Sequence, residues 1–507
     1  MRLQVNVYRA AARTACLPAA TLAALLGAAV AARAAAAPAP DVAPRLPANA
    51  THAGPILDDF QLTLEPGWRR EAAGPFYFDE HAETAETWAF PPFVSGLRSP
   101  GAQASEFSFL YPVMTSNRYG QQYRWQFFQL LSFAGGPSPT EEFRDRFTLF
   151  PLYFQQRSSV TGENYTAYGP FYGHLQHRLF RDEISYVMFP LYSETRKADV
   201  VTDNYLYPIF HWRHGDGLSG WQMFPFVGHE HKEPTTRTNY LQMVEDVPGH
   251  DRAFLMWPFL FDSVAGIGST NQEHHTGALP FFEVARSPVR DSTTVAWPFL
   301  SHVVDRGQQY EEWNAPWPLV EFARGPAKET TRIWPLFSHA ANSNLVSDFV
   351  LWPVYKLNRI MSPPLDRRDV RILFFEYRDV IDRNTETGLS RRHSTLWPLY
   401  SYHRDLKGNR RLQVLAILEP FVPENPVVER EYAPIYSFWR SEENARTGAS
   451  SRSLLWNLYR EDRTPLTRRT SFFFGLWQHE SGPEGRHSRL FFVPLGPSPL
   501  AAGPAKP

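Results

Sequence analysis

Short apolar runs and longer polar stretches alternate along most of the chain. Each run of five to nine residues is rich in Trp, Phe, Tyr, Leu and Val, and each polar stretch of about ten residues is rich in Gly, Asp, Asn, Arg and Thr. Aromatic and branched residues in runs too short for helices favour strands. The stretches between them, such as HGDGLSG and DLKGNRR, are typical of turns. The pattern predicts strands joined by polar turns, with no helical periodicity after residue 34.

The apolar runs repeat one motif centred on a proline. It reads MFPLY from residue 188, MWPFL from 256, IWPLF from 333, LWPVY from 351 and LWPLY from 396, and similar copies occur along the chain. Successive copies lie about nineteen residues apart, and degenerate copies such as ILFFEY and SFFFGLW fill the gaps. Such a period indicates a series of similar structural units. Counting all copies predicts about 22 strands between Trp88 and Leu495.

The aromatic residue before the proline and the proline itself are the predicted structural anchors of the repeat. Side chains alternate along a strand, so the residues flanking the proline would share one face, and the proline and the residue two positions later would share the other. Both faces would be apolar, which predicts burial on both sides. The anchors are Trp257, Trp297, Trp317, Trp334, Trp352, Trp397, Pro151, Pro190, Pro225, Pro258, Pro298, Pro335, Pro353 and Pro398. We expect them to support the fold rather than to bind a ligand.

An antiparallel meander of about 22 strands has to curl, split or close, and two closures compete. A large β-barrel of the outer-membrane kind agrees with an exported chain and with the length of the repeat unit. A propeller-like or solenoid β-repeat agrees better with apolar residues on both faces, and with runs shorter than a lipid-facing band of about 25 Å. We predict an all-β fold closed as a barrel, with the propeller or solenoid as the alternative.

The first forty residues have the order of a secretory signal. Arginines precede an uncharged, alanine-rich run from about Leu17 to Ala32, and small residues follow. This order is typical of a cleaved signal peptide. The predicted organisation is a signal peptide at 1–34, a flexible Ala/Pro-rich lead-in at 35–58, a single β-repeat domain at 59–495 and a flexible tail at 496–507.

Cysteine content and charge exclude several classes of function. The only cysteine, Cys16, lies in the predicted signal peptide, so the mature chain would have no thiol for a disulfide or a metal site. Cleavage after residue 34 would remove four arginines and no acid, and would move the formal net charge from -1 to about -5. A chain without a basic excess is not expected to bind nucleic acid.

Histidine pairs are the weak candidates for a metal site. His229 and His231 lie two residues apart, on one face of a strand, and His274 and His275 are adjacent. Imidazole binds zinc or copper, but a site needs three or four converging ligands. Histidine also recurs four residues after the proline in several copies of the motif. We therefore expect polar strand ends, with no metal and no cofactor.

Beyond these features, only a resemblance to other proteins bears on the function of the chain. Phosphate-binding loops, dinucleotide-binding glycine patterns and nucleophile elbows are absent from the sequence. The segments LWPLYSYHRD, IWPLFSH, LWPVY and LLWNLYRED resemble a class of uncharacterised exported bacterial proteins with serial W-P-L-[FY] units, over about residues 88 to 495. The resemblance implies export and β structure, and it brings no catalytic residue.

We therefore predict a non-enzymatic, exported β-repeat protein. The first expectation is an outer-membrane β-barrel with a pore or structural role and with lipid as its partner. The alternative is a soluble periplasmic or extracellular scaffold that binds protein or glycan through aromatic-rich surfaces or loops.

Overall fold

The strands are short and follow one another closely along the chain. A computed structural model describes residues 50–495, except 55, 138–142, 161, 239–242, 424 and 484. The described part is all-β and contains 45 strands. The predicted signal peptide at 1–34 and tail at 496–507 lie outside the described residues, and the first strand begins at Leu57, within the predicted lead-in.

The strands have the following bounds. The first nineteen are β1 Leu57–Gln61, β2 Gly67–Ala72, β3 Tyr77–Ala82, β4 Glu86–Phe90, β5 Val94–Ser99, β6 Ala104–Phe109, β7 Met114–Tyr119, β8 Gln122–Phe127, β9 Leu131–Gly135, β10 Arg144–Leu149, β11 Tyr153–Ser158, β12 Tyr165–Tyr168, β13 Tyr172–Arg178, β14 Arg181–Val187, β15 Tyr192–Lys197, β16 Val200–Tyr205, β17 Phe210–Gly215, β18 Leu218–Met223 and β19 Val227–Lys232. The next group comprises β20 Thr235–Thr238, β21 Val244–Val247, β22 Gly249–Leu255, β23 Leu260–Ile267, β24 Glu273–Ala278, β25 Phe282–Arg286, β26 Arg290–Val295, β27 Leu300–Asp305, β28 Tyr310–Asn314, β29 Val320–Arg324, β30 Lys328–Ile333, β31 Phe337–Asn342 and β32 Leu345–Val350. The last are β33 Tyr355–Ser362, β34 Leu365–Ile372, β35 Tyr377–Asn384, β36 Ser390–Leu396, β37 Tyr400–Arg404, β38 Arg410–Val414, β39 Trp439–Glu443, β40 Ser450–Leu454, β41 Tyr459–Arg463, β42 Arg468–Phe472, β43 Trp477–Gly482, β44 Gly485–Leu490 and β45 Val493–Leu495.

Each strand pairs antiparallel with its neighbours in the chain. The ladder starts with β1 on β2 and ends with β44 on β45. The hairpin of β20 and β21 is an insertion outside this ladder, so β19 pairs directly with β22. No pairing among the described strands joins β45 to β1, and the ladder is an open meander of 43 strands. The predicted antiparallel meander is confirmed, whereas the predicted closure as a barrel is not found in this part of the chain.

The prediction of about 22 strands was wrong because the motif was assigned to the wrong element. The proline motif at 296–299 is the turn between β26 and β27, and the polar turn at 306–309 then leads to β28. One unit of about nineteen residues therefore contains two strands and two turns. The residues that were interpreted as strand centres are connections, and the polar stretches supply most of the strands.

Two short helices lie between β38 and β39 and cover the N-terminal strands. Helix α1 spans Pro426–Glu431 and helix α2 spans Ala433–Tyr436. Asn425 caps α1, because its side chain accepts hydrogen bonds from the first backbone N–H groups of the helix. Val428 is 3% exposed where α1 packs on β4 and β5. Across the described residues, no helix has the length and apolar character needed to span a bilayer.

The helices and the last strands hold the two ends of the described chain together. Arg469 forms an ion pair with Asp58 at 3.2 Å, and Asn444 donates to the Thr63 carbonyl at 3.1 Å. Arg460, which is 8% exposed, lies 3.4 Å from the centre of the Phe60 ring. This junction is one buried region. A second contains the side chains of Phe154, Tyr165, Ala167, Leu175 and Tyr186 on β11 to β14.

Candidate functional site

The aromatic motifs form a continuous row along one edge of the sheet. Each motif forms a turn that connects an even-numbered strand to the next odd-numbered strand, so all of these turns lie on the same side of the meander. Neighbouring turns are separated by two strand spacings, or roughly 9.5 Å. The name aromatic row is used for the turns at 150–152, 169–171, 188–191, 206–209, 224–226, 256–259, 279–281, 296–299, 315–319, 334–336, 351–354, 373–376 and 397–399.

A typical turn of the row is the one at 256–259. Met256 has a φ of 52° and the peptide bond between Trp257 and Pro258 is cis. The Phe259 N–H donates to the Met256 carbonyl at 2.8 Å, which closes the turn. The same closing bond joins the first and last residues of the turns at 188–191, 206–209, 296–299 and 351–354. The motif thus encodes a tight connection whose apolar side chains project from the end of the hairpin.

Hydrogen bonds also join each turn to the one before it. The Met256 N–H donates to the Phe226 carbonyl at 2.5 Å, and the Trp257 N–H donates to the Pro225 carbonyl at 2.6 Å. Pro258 has no N–H to satisfy. Every backbone donor of this turn is therefore bonded within the protein or removed by proline. The turns at 188–191, 206–209 and 351–354 repeat this arrangement bond for bond.

The side chains of the row are half exposed. Trp257 is 46% exposed, Trp297 40%, Trp317 47% and Trp334 41%. Apolar residues of the turn on the far side of the proline, such as Phe299 at 52%, are exposed to a similar degree. The expectation of burial on both faces is therefore wrong for the motif, because a turn at a sheet edge has neighbours only on the strand side and along the row.

Contacts between neighbouring turns hold the exposed rings in position. The Trp334 and Trp352 ring centres lie 5.8 Å apart, and Trp352 meets Phe374 edge to face at 5.0 Å. Such pairs add about 0.5–1.5 kcal/mol beyond the area they bury. Trp397 is the most protected anchor of this kind, since its indole N–H donates to the Ile417 carbonyl at 3.1 Å and its ring contacts Phe421 at 6.1 Å. The row is a connected aromatic surface.

All of the predicted proline anchors lie in turns of the row. Pro151 lies in the turn at 150–152, and the remaining anchors occupy equivalent positions in later turns, namely Pro190, Pro225, Pro258, Pro298, Pro335, Pro353 and Pro398. The sequence identified these residues as a repeated set, and the structure assigns them one shared position at the edge of the sheet.

The strands below the row are polar and internally paired. Asp382 accepts hydrogen bonds from Arg367 at 2.6 Å and from Arg391 at 2.8 Å, and these guanidinium groups lower the pKa of its carboxyl to about 2. Asp369 is paired with Arg378 on the neighbouring strand at 3.0 Å and with Arg371 on its own strand at 2.7 Å. Cross-strand ion pairs explain why strands with so little apolar content remain in the sheet.

The small residue that follows each motif fills a steric role. A Cβ atom on Gly228 would lie 2.4 Å from Cε1 of Phe254 on the paired strand, and one on Gly173 would lie 2.5 Å from Cζ of Tyr186. Each glycine therefore gives space to a cross-strand ring. At the equivalent positions, Ser193 and Ser338 are each 5% exposed. The recurrent small residue three positions after the proline is a packing requirement of the sheet.

The candidate histidines are paired with carboxylates. His229 and His231 both face Asp251, at 3.3 and 2.9 Å. His274 and His275 point to opposite faces of β24 and contact Asp262 at 2.8 Å and Glu283 at 2.7 Å. Histidines at the equivalent position of other units form similar pairs, as in His339 with Asp348 at 2.6 Å. No group of three or more potential metal ligands converges anywhere in the described part of the chain.

A concave pocket on one face of β17 to β25 was missed by the sequence analysis. Its volume is about 670 Å³, and seven strands contribute to its lining, which combines aromatic rings with charged side chains. His275, one of the weak metal candidates, contributes to the lining. No single segment of the chain signals the pocket, because each strand provides only one to three residues and the cross-strand register brings them together.

Comparison with known proteins does not identify a family. No protein-family model matches the chain, and no curated protein sequence is similar to it.

Proposed function

We propose that the protein is a non-enzymatic, exported β-repeat scaffold that binds a lipid surface, at the outer membrane, through the aromatic row. The observation that carries this proposal is the combination of exposed rings with satisfied backbone donors at the same edge. An N–H group without a hydrogen-bond partner costs several kcal/mol in an apolar medium. Protein segments that enter lipid therefore satisfy their backbone N–H groups with hydrogen bonds inside the protein. In the turns at 188–191, 206–209, 256–259 and 351–354, every N–H group is bonded within the protein.

The composition of the row also favours a lipid interface. Tryptophan and tyrosine concentrate at the boundary between lipid and water, where an apolar ring and a polar N–H or O–H group are both accommodated. Glu376 is the only charged residue in the aromatic row. Many of the charged groups lie on the strands instead, where arginines and acids pair with each other. The apolar edge would enter the interface and the paired strands would remain in water.

A pore is less well supported than attachment by an edge. A membrane-spanning strand needs about 9–11 residues, whereas the longest described strands, such as β33 at Tyr355–Ser362, have eight. The strand pairing of the described residues is open. These dimensions support a protein that lies on a lipid surface rather than one that crosses it.

Flotation with lipid vesicles tests the proposal. Vesicles of phosphatidylethanolamine and phosphatidylglycerol should carry the protein to the top of a density gradient, and brominated acyl chains should quench its tryptophan fluorescence. The triple variant Trp297→Ser, Trp317→Ser, Trp334→Ser should bind at least tenfold more weakly, equivalent to about 1.4 kcal/mol or more. Binding should persist in high salt, because the row has almost no charge to screen.

A matched control keeps the number of lost tryptophans the same. Trp212, Trp221 and Trp313 are 53%, 44% and 54% exposed but lie in strands rather than in turns of the row. Their replacement by serine should leave vesicle binding within about twofold of the unmodified protein, a difference below about 0.5 kcal/mol. Equal losses from both triple variants, or no flotation of the unmodified protein, would contradict the proposal. The vesicles should also retain a trapped dye, since release would indicate a pore.

A further inference from the structure

The pocket on β17 to β25 has two unlike walls. One wall is aromatic: the Phe254 and Trp257 ring centres lie 5.9 Å apart, Trp257 and Phe261 lie 5.9 Å apart, and Phe261 and His275 lie 4.9 Å apart. These four rings form a chain from the aromatic row down to the middle of the sheet. Phe254 and Phe261 can lie flat against the sheet because Gly228 and Gly277 have no side chain beneath them.

The other wall carries charged side chains that are fixed by one another. Glu230 accepts from Arg213 at 2.5 Å and from His250 at 2.7 Å, and Arg213 is half-buried. Glu283 contacts His275 at 2.7 Å through one carboxylate oxygen. These groups are held in place before any ligand arrives, which reduces the entropy cost of binding.

Three further polar groups of the lining have no hydrogen-bond partner among the described residues. They are the amide of Gln222, the guanidinium of Arg252 and the carboxylate of Glu273. The cross-strand register places Arg252 opposite Glu230 and Glu273 opposite Ala265, on the face that also bears Phe254 and Phe261. Unpaired donors and acceptors therefore lie beside the aromatic rings on one face of the sheet.

We propose that this pocket binds a neutral oligosaccharide. The C–H faces of a sugar ring pack on aromatic rings, and its hydroxyls act as both donors and acceptors, as the mixture of amide, guanidinium and carboxylate groups requires. Glu230, Glu273 and Glu283 outnumber Arg213 and Arg252, so the lining has no cationic excess for a phosphate or a sulfate. The volume of about 670 Å³ lies within the range of about 300–1,000 Å³ for ligand pockets.

Titration of the full chain with maltotriose, cellotriose and triacetylchitotriose tests the assignment. Trp257 and Trp297 line the pocket, so a bound sugar should change the intrinsic fluorescence, and saturation-transfer NMR should show which protons contact the protein. We expect saturable binding of at least one trisaccharide in the millimolar range or tighter. The absence of saturable binding for all three in that range would overturn the proposal.

Two variants and one control variant locate the binding. Phe261→Ala should weaken binding at least tenfold, whereas Phe282→Ala, which removes an exposed ring outside the pocket, should leave it unchanged. Glu273→Gln preserves the shape of a partly exposed side chain and should weaken binding several-fold without affecting the fold. Equal affinity in all three variants would place the sugar elsewhere and overturn the assignment.

A lipid in the pocket is the competing outcome. If monomeric lysophosphatidylcholine quenches the same tryptophans and prevents the trisaccharide from binding, the pocket is a lipid site and the oligosaccharide assignment fails. The titration uses no vesicles, so its failure is distinguishable from failure of the proposed attachment to lipid. Conversely, loss of flotation does not affect the sugar titration.

Discussion

Replacement of Glu431 tests whether the junction between the two ends of the described chain is built as described. Glu431 ends α1 and is 0% exposed. Its carboxylate accepts hydrogen bonds from the Ser95 hydroxyl at 3.0 Å, from the Tyr111 N–H at 3.0 Å and from the Ser108 hydroxyl. The Glu431→Ala variant would leave the buried Ser95 and Ser108 hydroxyls and the partly buried Tyr111 N–H without their shared acceptor.

The expected cost follows from what each donor can do instead. A buried donor without a partner costs about 1–3 kcal/mol. Ser95 and Ser108 can still bond each other at 2.8 Å, whereas the Tyr111 N–H has no substitute. Removal of the buried carboxylate stabilises the folded state, because that carboxylate no longer has to be desolvated. The lost side chain also leaves a cavity, which destabilises the folded state. We expect a net loss of about 3 kcal/mol in the free energy of unfolding.

Glu431→Gln is the matched control. Its amide oxygen can accept from the Tyr111 N–H while its amide nitrogen donates to the serine oxygens, so every group keeps a partner. We expect this variant to unfold within about 1 kcal/mol of the unmodified protein. Urea denaturation followed by tryptophan fluorescence gives the overall value, and hydrogen exchange of the Tyr111 amide reports the junction itself. A loss below about 1 kcal/mol for the alanine variant, or equal losses for both variants, would contradict the buried hydrogen-bonding role of Glu431.

The difference in stability between the unmodified protein and Glu431→Gln should depend on pH. Burial raises the pKa of Glu431 above its ordinary value of 4.5. A raised folded-state pKa contributes stability that is fully present below the unfolded pKa and is lost as the pH rises through the folded pKa. The unmodified protein should therefore gain stability relative to Glu431→Gln as the pH falls toward 4.5. An unchanged difference between pH 8 and pH 4.5 would show that the carboxyl is not desolvated.

Three further predictions concern the turns, the packing and the ion pairs. Trp397→Ala should cost about 2 kcal/mol because its ring and indole N–H are engaged, whereas Trp317→Ala, at 47% exposure, should cost under about 1 kcal/mol; urea denaturation compares them. Gly228→Val should cost about 1–3 kcal/mol by forcing Phe254 aside, measured by thermal unfolding. Asp382→Asn should remove roughly 1 kcal/mol of stability that the native carboxylate contributes above pH 3.8 and loses as the pH falls through about 2, measured by circular dichroism.

The period of the chain was predictable from sequence, but the role of its apolar part was not. Strand propensity depends on context, and it favoured strands wherever aromatic and branched residues occurred. Here Trp297 and Phe299 lie in a turn, while Glu321 and Arg332 pair across neighbouring strands at 2.8 Å. The glycine at 307, in the middle of a polar stretch long enough for two strands and a turn, was the signal that could have revealed the second hairpin.

Sites that depend on strand register could not be predicted from the sequence. The ion pairing of His229 with Asp251 and the pocket lined by Phe254 and Phe261 arise only after the antiparallel register fixes which residues are opposite. The histidine pattern was visible because it repeats with the period of the unit. The pocket was not visible in the sequence, since its residues share neither a motif nor a spacing. Export, localisation and the absence of catalysis stay predictions.

The serial architecture determines how strongly any single change can act on binding. Each strand contacts mainly its two neighbours, so the loss of one turn is a local event in a repeat structure. If every turn of the aromatic row makes the same weak contact with lipid, linked contacts multiply and the whole row binds far more tightly than one turn. Single tryptophan variants should therefore change vesicle binding little, and consecutive triple variants should change it more than three scattered replacements in the row. A single variant that abolished binding would instead identify one specific site and would contradict a continuous surface.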